Sequence, residues 1–257
     1  MNLLKFSVAN SKLANLVGAI DGYDFKKSEI YSLDLISGWT CPFANDCLSK
    51  VIIELGKRKI KDGPKTKFRC FSASQEVVFP DVYNNRKYNF ELLKSVGKYE
   101  YAALINNSLP GNAKVVRIHV GGDMFNADYL LAWAIVAHQN PHILFYAYTK
   151  SLSFWVKHKK FINKVKNLVL TASRGGKQDS LIKKHRLREA IVVNHPSEAK
   201  KLGLDIDHDD SHAANPNIRK DNFALLIHGQ QPKGSSASKA LKVLKQEKVK
   251  FSYGNKS

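Results

Sequence analysis

The chain has 257 residues, of which 44% are hydrophobic and 10% aromatic, and this composition excludes a wholly disordered protein. Its 41 Lys and Arg residues outnumber its 22 Asp and Glu residues, so the formal net charge is +19. Such an excess favours a nucleic acid or nucleotide partner, because cationic side chains neutralise phosphates. The alternative is a basic surface that only keeps the protein soluble.

Three cysteines are present, and an odd number excludes a closed disulfide framework. Residues 1–8 lack the long apolar core of a signal peptide. No stretch reaches the roughly 18 apolar residues of a membrane span, so we expect no membrane partner. A reducing, cytoplasmic location is therefore predicted, and the sequence leaves the oligomeric state open.

From residue 31 onward, short apolar runs alternate with segments of helical periodicity. Strands are expected at residues 31–36, 115–120, 143–148, 168–171, 190–193 and 223–227. Helices are expected at residues 127–138, 154–165, 179–185, 197–202 and 236–246. This alternation predicts an α/β fold with a parallel sheet, in which a partial or complete (β/α) barrel is preferred over an open doubly wound sheet.

A single domain is expected over residues 1–257, with residues 1–29 as a peripheral lead-in. Residues 205–217 are polar and turn-rich, which predicts an exposed acidic loop rather than a calcium site. Several predicted outer helices carry basic clusters, either for binding polyanions or as solvated faces. These residues are Lys157, Lys159, Lys160, Lys183, Lys184, Arg186, Lys239, Lys242 and Lys245.

The cysteines stand where a cofactor is expected in a parallel α/β fold. Cys41 and Cys47 follow the first predicted strand, and Cys70 lies 22 residues beyond Cys47. Three soft thiolates suit a 4Fe-4S cluster with one iron left open. A structural zinc site would need a fourth ligand, and no histidine lies at a short ligand spacing. Three buried cysteines acting as small hydrophobes are the remaining alternative.

Small or polar residues follow the later predicted strands. Gly121, Gly122 and Asp123 follow the second, and the paired glycines would allow a ligand to approach the backbone closely. The carboxylate of Asp123 is suited to accept hydrogen bonds from an ammonium group; a tight turn capped by Asp is the alternative. The following strand ends supply candidate substrate-binding residues, Lys150, Ser173, Arg174 and Asn194.

The last predicted strand leads into a glycine-containing segment, residues 229–236, that opens a helix. Lys233, Gly234, Ser235 and Ser236 could bind an anion there, because a helix N-terminus presents free backbone N–H groups. No lysine follows Gly234, so a P-loop nucleotide hydrolase is not indicated. An ordinary glycine turn capped by serine is the alternative.

The chain resembles the phage "gene product 88" family of uncharacterised proteins over residues 10–244. The resemblance is carried by short motifs spread along this range. They comprise Asn10, Ser11, Lys12, Leu13, Thr40, Cys41, Pro42, Ala44, Cys47, Arg69, Cys70, Gly122, Asp123, Tyr129, Ala132, Trp133, residues 146–151, Ile227, His228 and Gly229.

That family looks like a relative of radical S-adenosylmethionine enzymes. The resemblance implies that Cys41, Cys47 and Cys70 bind a 4Fe-4S cluster, and that Gly121, Gly122 and Asp123 hold the methionine amino group of S-adenosylmethionine. The gaps between the cysteines are longer here than is usual in that superfamily. The expected function is a radical enzyme acting on a nucleotide or nucleic acid with an external electron donor. The alternatives are a non-catalytic iron–sulfur or zinc module that binds nucleic acid, and a zinc-dependent hydrolase.

Overall fold

The computed structural model describes residues 2–10 and 13–249. This part of the chain has a mixed α/β fold, built on a seven-stranded sheet with a separate two-stranded hairpin. The strands are β1 (Phe6–Val8), β2 (Ile30–Leu33), β3 (Ser49–Glu54), β4 (Lys57–Asp62), β5 (Val115–Ile118), β6 (Leu144–Thr149), β7 (Leu168–Ser173), β8 (Glu189–Val193) and β9 (Phe223–Leu226). The helices are α1 (Phe71–Val78), α2 (Pro80–Ser95), α3 (Tyr101–Ser108), α4 (Ala127–Gln139), α5 (Leu152–Ile162), α6 (Ser180–His185), α7 (Pro196–Leu202), α8 (Ser211–Ala214) and α9 (Ser236–Gln246).

The large sheet has the order β1-β2-β5-β6-β7-β8-β9. From β2 to β9 every neighbouring pair is parallel, while β1 is antiparallel to β2. The predicted parallel α/β fold is therefore confirmed. The doubly wound alternative is wrong, because its strand order would reverse within the sheet. A complete barrel is also not formed in the described residues, since the sheet is open with β1 and β9 at its edges.

Side chains alternate between the two faces of the sheet and enter two different cores. On β6, Phe145 and Ala147 pack with the buried faces of α3 to α6. Leu144 and Tyr146 face the opposite core, which contains residues from the N-terminal segment and from α8. Both faces are thus covered, which explains why the strands are apolar runs rather than half-polar ones.

The sequence predicts residues 1–29 to be a peripheral lead-in, but in the structure the N-terminal segment is part of the sheet and of a core. β1 pairs with β2, and the side chains of Leu13, Leu16 and Phe25 are at most 5% exposed. Residues 1, 11 and 12 of this predicted lead-in lie outside the described residues, including two positions of the family-like motif at residues 10–13. Local composition did not show that the segment covers a sheet face, because that depends on strands far away in the sequence.

The prediction of an exposed loop over residues 205–217 is also wrong. Asp207 and Asp210 are 1% and 0% exposed, and Ala213 and Ala214 of α8 are buried against the sheet. The buried Asp210 carboxylate forms an ion pair with Arg117 of β5, which compensates for its loss of hydration. None of the helices in residues 2–10 and 13–249 is both long and apolar enough to cross a membrane.

Candidate functional site

A cavity of about 570 Å³ lies at the carboxyl ends of β5 to β9. Residues from these strand ends, from the loop after β2 and from the start of α1 form its wall. It brings together half of the predicted site residues. Those lining it are Cys41, Cys47, Cys70, Gly122, Asp123, Lys150 and Ser173.

The loop that carries Cys41 and Cys47 is held by close backbone packing. Gly38 has φ +72°, and a Cβ there would lie 2.5 Å from the carbonyl oxygen of Ser49. Its N–H donates to the Cys41 Sγ at 3.4 Å. Further along, the N–H of Asp46 donates to the carbonyl of Gly175 after β7, at 2.9 Å. The loop is therefore fixed between the hairpin and the end of β7.

The β3–β4 hairpin accounts for the long gap between Cys47 and Cys70. Its strands are paired from Ser49 with Asp62 to Glu54 with Lys57, so the chain leaves the cavity wall and returns to it. The N–H of Cys70 then donates to the Ser49 Oγ at 3.2 Å. The large sequence gap between the two cysteines is thus an inserted hairpin.

Sequence analysis missed this hairpin, although its turn carries a signal. Leu55 and Gly56 form a two-residue connection, and both have positive φ, +50° and +74°. A type I′ hairpin turn requires positive φ at both central positions, which Asn-Gly satisfies far better than Leu-Gly. The leucine at the first position hid the turn.

Cys70 is the N-cap residue of α1, and its backbone there is extended, with φ −60° and ψ 123°. Burial, followed by the neighbouring Cys47, raises the pKa of the Cys70 thiol to about 11. Burial also raises the pKa of the Cys41 thiol, with further contributions from Asp123, Cys70 and Cys47. Neighbouring cysteines therefore oppose ionisation of the Cys41 and Cys70 thiols, an effect that a bound cationic metal centre reverses.

The glycine–acid segment packs directly against the cysteine loop and α1. A Cβ on Gly121 would lie 2.2 Å from the Ser72 Oγ, and one on Gly122 would lie 2.7 Å from the Thr40 Oγ1. Both positions require glycine for protein packing, and only Gly122 of the pair lines the cavity. Close approach of the backbone here serves the cysteine loop itself.

Asp123 is 5% exposed and links the ends of β5 and β6. Its Oδ1 accepts hydrogen bonds from the Thr149 hydroxyl at 2.6 Å and from the Met124 N–H at 2.7 Å. Its Oδ2 accepts from the Lys150 N–H at 2.9 Å. Burial raises the pKa of the Asp123 carboxyl in spite of these bonds. Much of the capacity of this carboxylate is thus used within the chain.

A buried polar network supports the start of α1 from behind. The side chain of Glu76 is fully buried, and its Oε1 accepts from the N–H and hydroxyl of Ser37, at 3.0 and 2.7 Å. Arg86 of α2 donates to the same oxygen at 3.1 Å and to the Ser72 Oγ at 2.6 Å. This network joins the loop after β2 to the helix that Cys70 caps.

Lys150 and Ser173 meet inside the cavity. The Lys150 ammonium donates to the Ser173 Oγ at 2.6 Å and to the carbonyl oxygens of Ser173 and Arg174 at 3.1 and 3.0 Å. Lys150 is 7% exposed. All three acceptors are formally uncharged, so a positive charge is held at the cavity wall.

The other predicted substrate residues do not line the cavity. Arg174 makes two hydrogen bonds to Glu189, at 2.7 and 2.9 Å, and its side chain is 42% exposed. Asn194 is exposed, and its N–H donates to Glu198 in the first turn of α7 at 2.9 Å. Both residues follow strands, but the Arg174 side chain is bound by Glu189 and Asn194 is exposed.

The predicted anion segment after β9 forms a capped turn. Ser235 is the N-cap of α9, with its Oγ accepting from the Ser238 N–H at 3.1 Å and donating to the Pro232 carbonyl at 2.7 Å. Lys233, Gly234 and Ser236 are exposed. They do not line the cavity, and this geometry is that of an ordinary serine-capped helix start.

Two cavity residues were missed by sequence analysis, Arg117 and His119. Burial disfavours the Arg117 cation, but the Asp210 carboxylate outweighs this, and the pKa of Arg117 is raised. His119 is 3% exposed with φ +69°, and burial lowers its pKa to about 4. Its Nε2 lies 3.0 Å from the Tyr129 hydroxyl, while its Nδ1 has no hydrogen-bond partner in the described residues. Arg117 alternates with the residues of β5 that face the outer helices, a signal available in the sequence. His119 follows the end of β5, and its ring stacks on Tyr129 of α4.

In the described part of the chain, no three His, Cys, Asp or Glu side chains converge on one metal-ion position.

The fold and the cavity define a mixed α/β protein with three thiols at the carboxyl edge of a parallel sheet. The model of the "Gene product 88" family matches residues 3–246, and the chain belongs to this family.

A relative is the "Gene 88 protein" of Mycobacterium phage L5, which is 26% identical over 150 residues. The match covers 54% of this chain and 55% of the phage L5 protein, so the chain spans about half the length of that relative. No solved structure matches the chain.

Proposed function

We propose that Cys41, Cys47 and Cys70 bind a 4Fe-4S cluster in the cavity. The observation that carries this proposal is that all three cysteines line one cavity, although 22 residues separate Cys47 from Cys70 in the sequence. The N–H group of Gly38 donates to the Cys41 sulfur at 3.4 Å. Such donors stabilise sulfur ligands of iron–sulfur clusters and tune their potential.

The donor set favours a multi-iron cluster over a single zinc ion. Zinc holds its ligands around one point, with zinc–sulfur distances of about 2.3 Å. A structural zinc site has four ligands, and three cysteines line the cavity. In a four-iron cluster each thiolate binds a different iron, so the sulfurs stand farther apart. Three thiolates leave one iron open, as the proposed cofactor S-adenosylmethionine requires.

The proposed reaction is of the radical S-adenosylmethionine type, with a nucleotide or nucleic acid as substrate. The cluster, once reduced by an external electron donor, would supply the electron that breaks the carbon–sulfur bond of the sulfonium. The sequential order of the parallel strands supports a partial (β/α) barrel as the scaffold. We infer a phage-encoded protein that acts in the host cytoplasm.

The chain's own residues would bind and orient the two ligands. The Oδ2 of Asp123 accepts one N–H in the described contacts and is the candidate acceptor for the methionine ammonium, beside Gly122. The Lys150 ammonium, fixed by Ser173, would attract a phosphate or another anionic group of the substrate. The Phe71 ring, 4.8 Å from that of His228 at the cavity wall, would shield bound ligands from water.

The test is anaerobic purification with iron, sulfide and zinc analysis. We expect about four irons per chain and a brown protein whose colour is lost in Cys41→Ala, Cys47→Ala and Cys70→Ala. Arg174→Ala, outside the cavity, is the control and should retain the iron. A colourless protein with stoichiometric zinc, or full iron content in all three cysteine variants, would contradict the proposal. Consumption of S-adenosylmethionine after reduction tests the enzymatic step separately.

A non-catalytic iron–sulfur or zinc module that binds nucleic acid is the second candidate. It is favoured by the extent to which Asp123 and Lys150 are already bonded within the chain. A cluster-loaded protein that neither binds nor cleaves S-adenosylmethionine would identify this module.

A further inference from the structure

We propose that one face of the β3–β4 hairpin binds single-stranded nucleic acid beside the cavity. Residues 50–67 contain seven Lys or Arg residues and two acidic ones. This makes the hairpin and its return a concentrated basic segment outside the helices that carry the other predicted basic clusters. It starts at the cavity, since Leu48 and Ser49 line the wall.

The strand register places several of these charges on one face. Lys57, Lys59 and Lys61 alternate along β4 and therefore point to the same side. Lys50 of β3 is directly opposite Lys61. Like charges in opposite positions destabilise a hairpin, so this pairing is not explained by the stability of the hairpin.

The acidic residues of the hairpin compensate only part of this charge. Glu54 pairs with Lys59, and both side chains are more than half exposed. Asp62 points to the other face, where it pairs with Arg69 at 2.6 Å. Lys50, Lys57 and Lys61 therefore remain as cations on one face, with successive lysines of β4 about 6.8 Å apart. This row suits successive phosphates of one extended strand.

An exposed aromatic residue at the base of this face favours a single strand. Trp39 is 51% exposed, and the Lys50 ammonium lies 4.2 Å from its ring centroid. An exposed aromatic ring beside a basic row is suited to stack an unpaired base while the row binds the backbone. A duplex would keep its bases stacked on each other, away from such rings.

Entry of a base from the bound strand into the cavity rests on the proposed function, whereas binding to the hairpin does not. The two can fail separately, because iron content reports the cluster and oligonucleotide affinity reports the hairpin. A cluster-free Cys70→Ala protein should still bind the oligonucleotide if it remains folded by circular dichroism.

The experiment uses the full chain and a fluorescein-labelled oligo-dT of about 20 nucleotides, with fluorescence anisotropy between about 50 and 200 mM salt. The hairpin variant carries Lys50→Gln, Lys57→Gln, Lys59→Gln and Lys61→Gln. The matched control removes the same charge from the outer helices and their ends, with Lys160→Gln, Lys164→Gln, Lys183→Gln and Lys184→Gln. Both sets lie on exposed or half-exposed positions.

We expect the hairpin variant to lose at least about tenfold in affinity, with a salt slope smaller by about 2 to 3. The control variant should lose less than about threefold, and the iron content of both should match the wild type. Equal losses in both variants would mean a delocalised charge effect and would overturn the proposal. Stronger binding of a duplex than of oligo-dT would also overturn the proposal. So would a protein that binds anionic phosphatidylglycerol vesicles but does not bind oligo-dT.

Tryptophan fluorescence adds a local readout. Trp133 and Trp155 are 1% and 7% exposed, so Trp39 is the accessible tryptophan of the three. Oligo-dT should quench this accessible fraction, and Trp39→Phe should remove the quenching while retaining most of the affinity. Persistence of the quenching in Trp39→Phe would place the nucleic acid elsewhere.

Discussion

At the carboxyl edge of the sheet, the residues around the cysteines and the residues that follow β7, β8 and β9 make different contacts. We call these regions the cysteine side and the C-terminal side. On the cysteine side, the loop after β2, the hairpin and α1 all direct side chains into one cavity. On the C-terminal side, Arg174, Asn194 and Ser235 are engaged in an ion pair or in helix starts. A strand end is therefore a place where a site can form, and the local contacts decide whether a residue joins it.

Two Arg–carboxylate pairs offer the sharpest test of this difference. The Arg117–Asp210 side chains are 8% and 0% exposed, whereas Arg174 in the pair with Glu189 is 42% exposed. Asp210→Asn should lower the free energy of unfolding by about 3–5 kcal/mol, because it leaves the Arg117 charge buried without its carboxylate. Glu189→Gln should cost less than about 1 kcal/mol, since Arg174 reaches solvent.

Urea unfolding of the two variants measures this difference. If both variants lose the same stability, the cavity-side pair is not distinguished by its burial. Near-UV circular dichroism of Asp210→Asn serves as the check that its native state is still formed.

Acidification should destabilise the cavity side through His119. Burial, with a smaller contribution from Arg117, lowers the folded-state pKa to about 4, below the ordinary 6.5. Between these values the unfolded chain binds a proton that the folded chain does not, so stability is lost as pH falls from about 6.5 to about 4. The loss reaches about 3 kcal/mol.

His119→Asn isolates this contribution, because asparagine tolerates the left-handed backbone and does not titrate. The measurement is the free energy of unfolding against pH for both proteins. The wild-type curve should be steeper below pH 6.5. Parallel curves would show that His119 is not the group responsible.

Two glycines with positive φ allow a comparison of the backbone in the cysteine loop with the backbone in the turn before α9. In Gly38→Ala the new Cβ would overlap with the carbonyl oxygen of Ser49, and φ +72° is itself unfavourable for alanine. This variant should lower the free energy of unfolding by at least about 2 kcal/mol. Gly234 has φ +83° with no atom within 4 Å of its added Cβ, so Gly234→Ala should cost only about 1 kcal/mol. Thermal unfolding gives the difference, and equal costs would mean that the cysteine loop adjusts freely.

The smallest expected effect is at the hairpin turn. Leu55 is 94% exposed with φ +50°, so Leu55→Asn should stabilise the protein by up to about 1 kcal/mol by relieving strain in the type I′ turn. Leu55→Ala removes the same side chain without supplying a residue suited to positive φ and should give no gain. Equal unfolding midpoints for the Asn and Ala variants would argue against turn strain.

Hydrophobic periodicity alone determined the β/α alternation and the positions of most strands. The strands expected at residues 115–120, 143–148 and 223–227 agree with β5, β6 and β9 within two residues. Such runs are local, and their apolar, β-branched composition is typical of strands buried on both faces. The clustering of cysteines after β2 and of small residues after later strands also predicted the edge of the sheet at which the cavity lies.

Only the tertiary structure decided which of these residues meet. Cys70 is brought to Cys47 by a hairpin whose Leu-Gly turn carries an atypical residue, and Asp210 is buried because Arg117, 93 residues away, lies on the facing strand. Arg174 was equally well placed in the sequence, but Glu189 on the neighbouring strand captures it. Hydrogen bonds and ion pairs between distant segments determine the direction of a side chain, and hydrophobic periodicity contains no record of these partners.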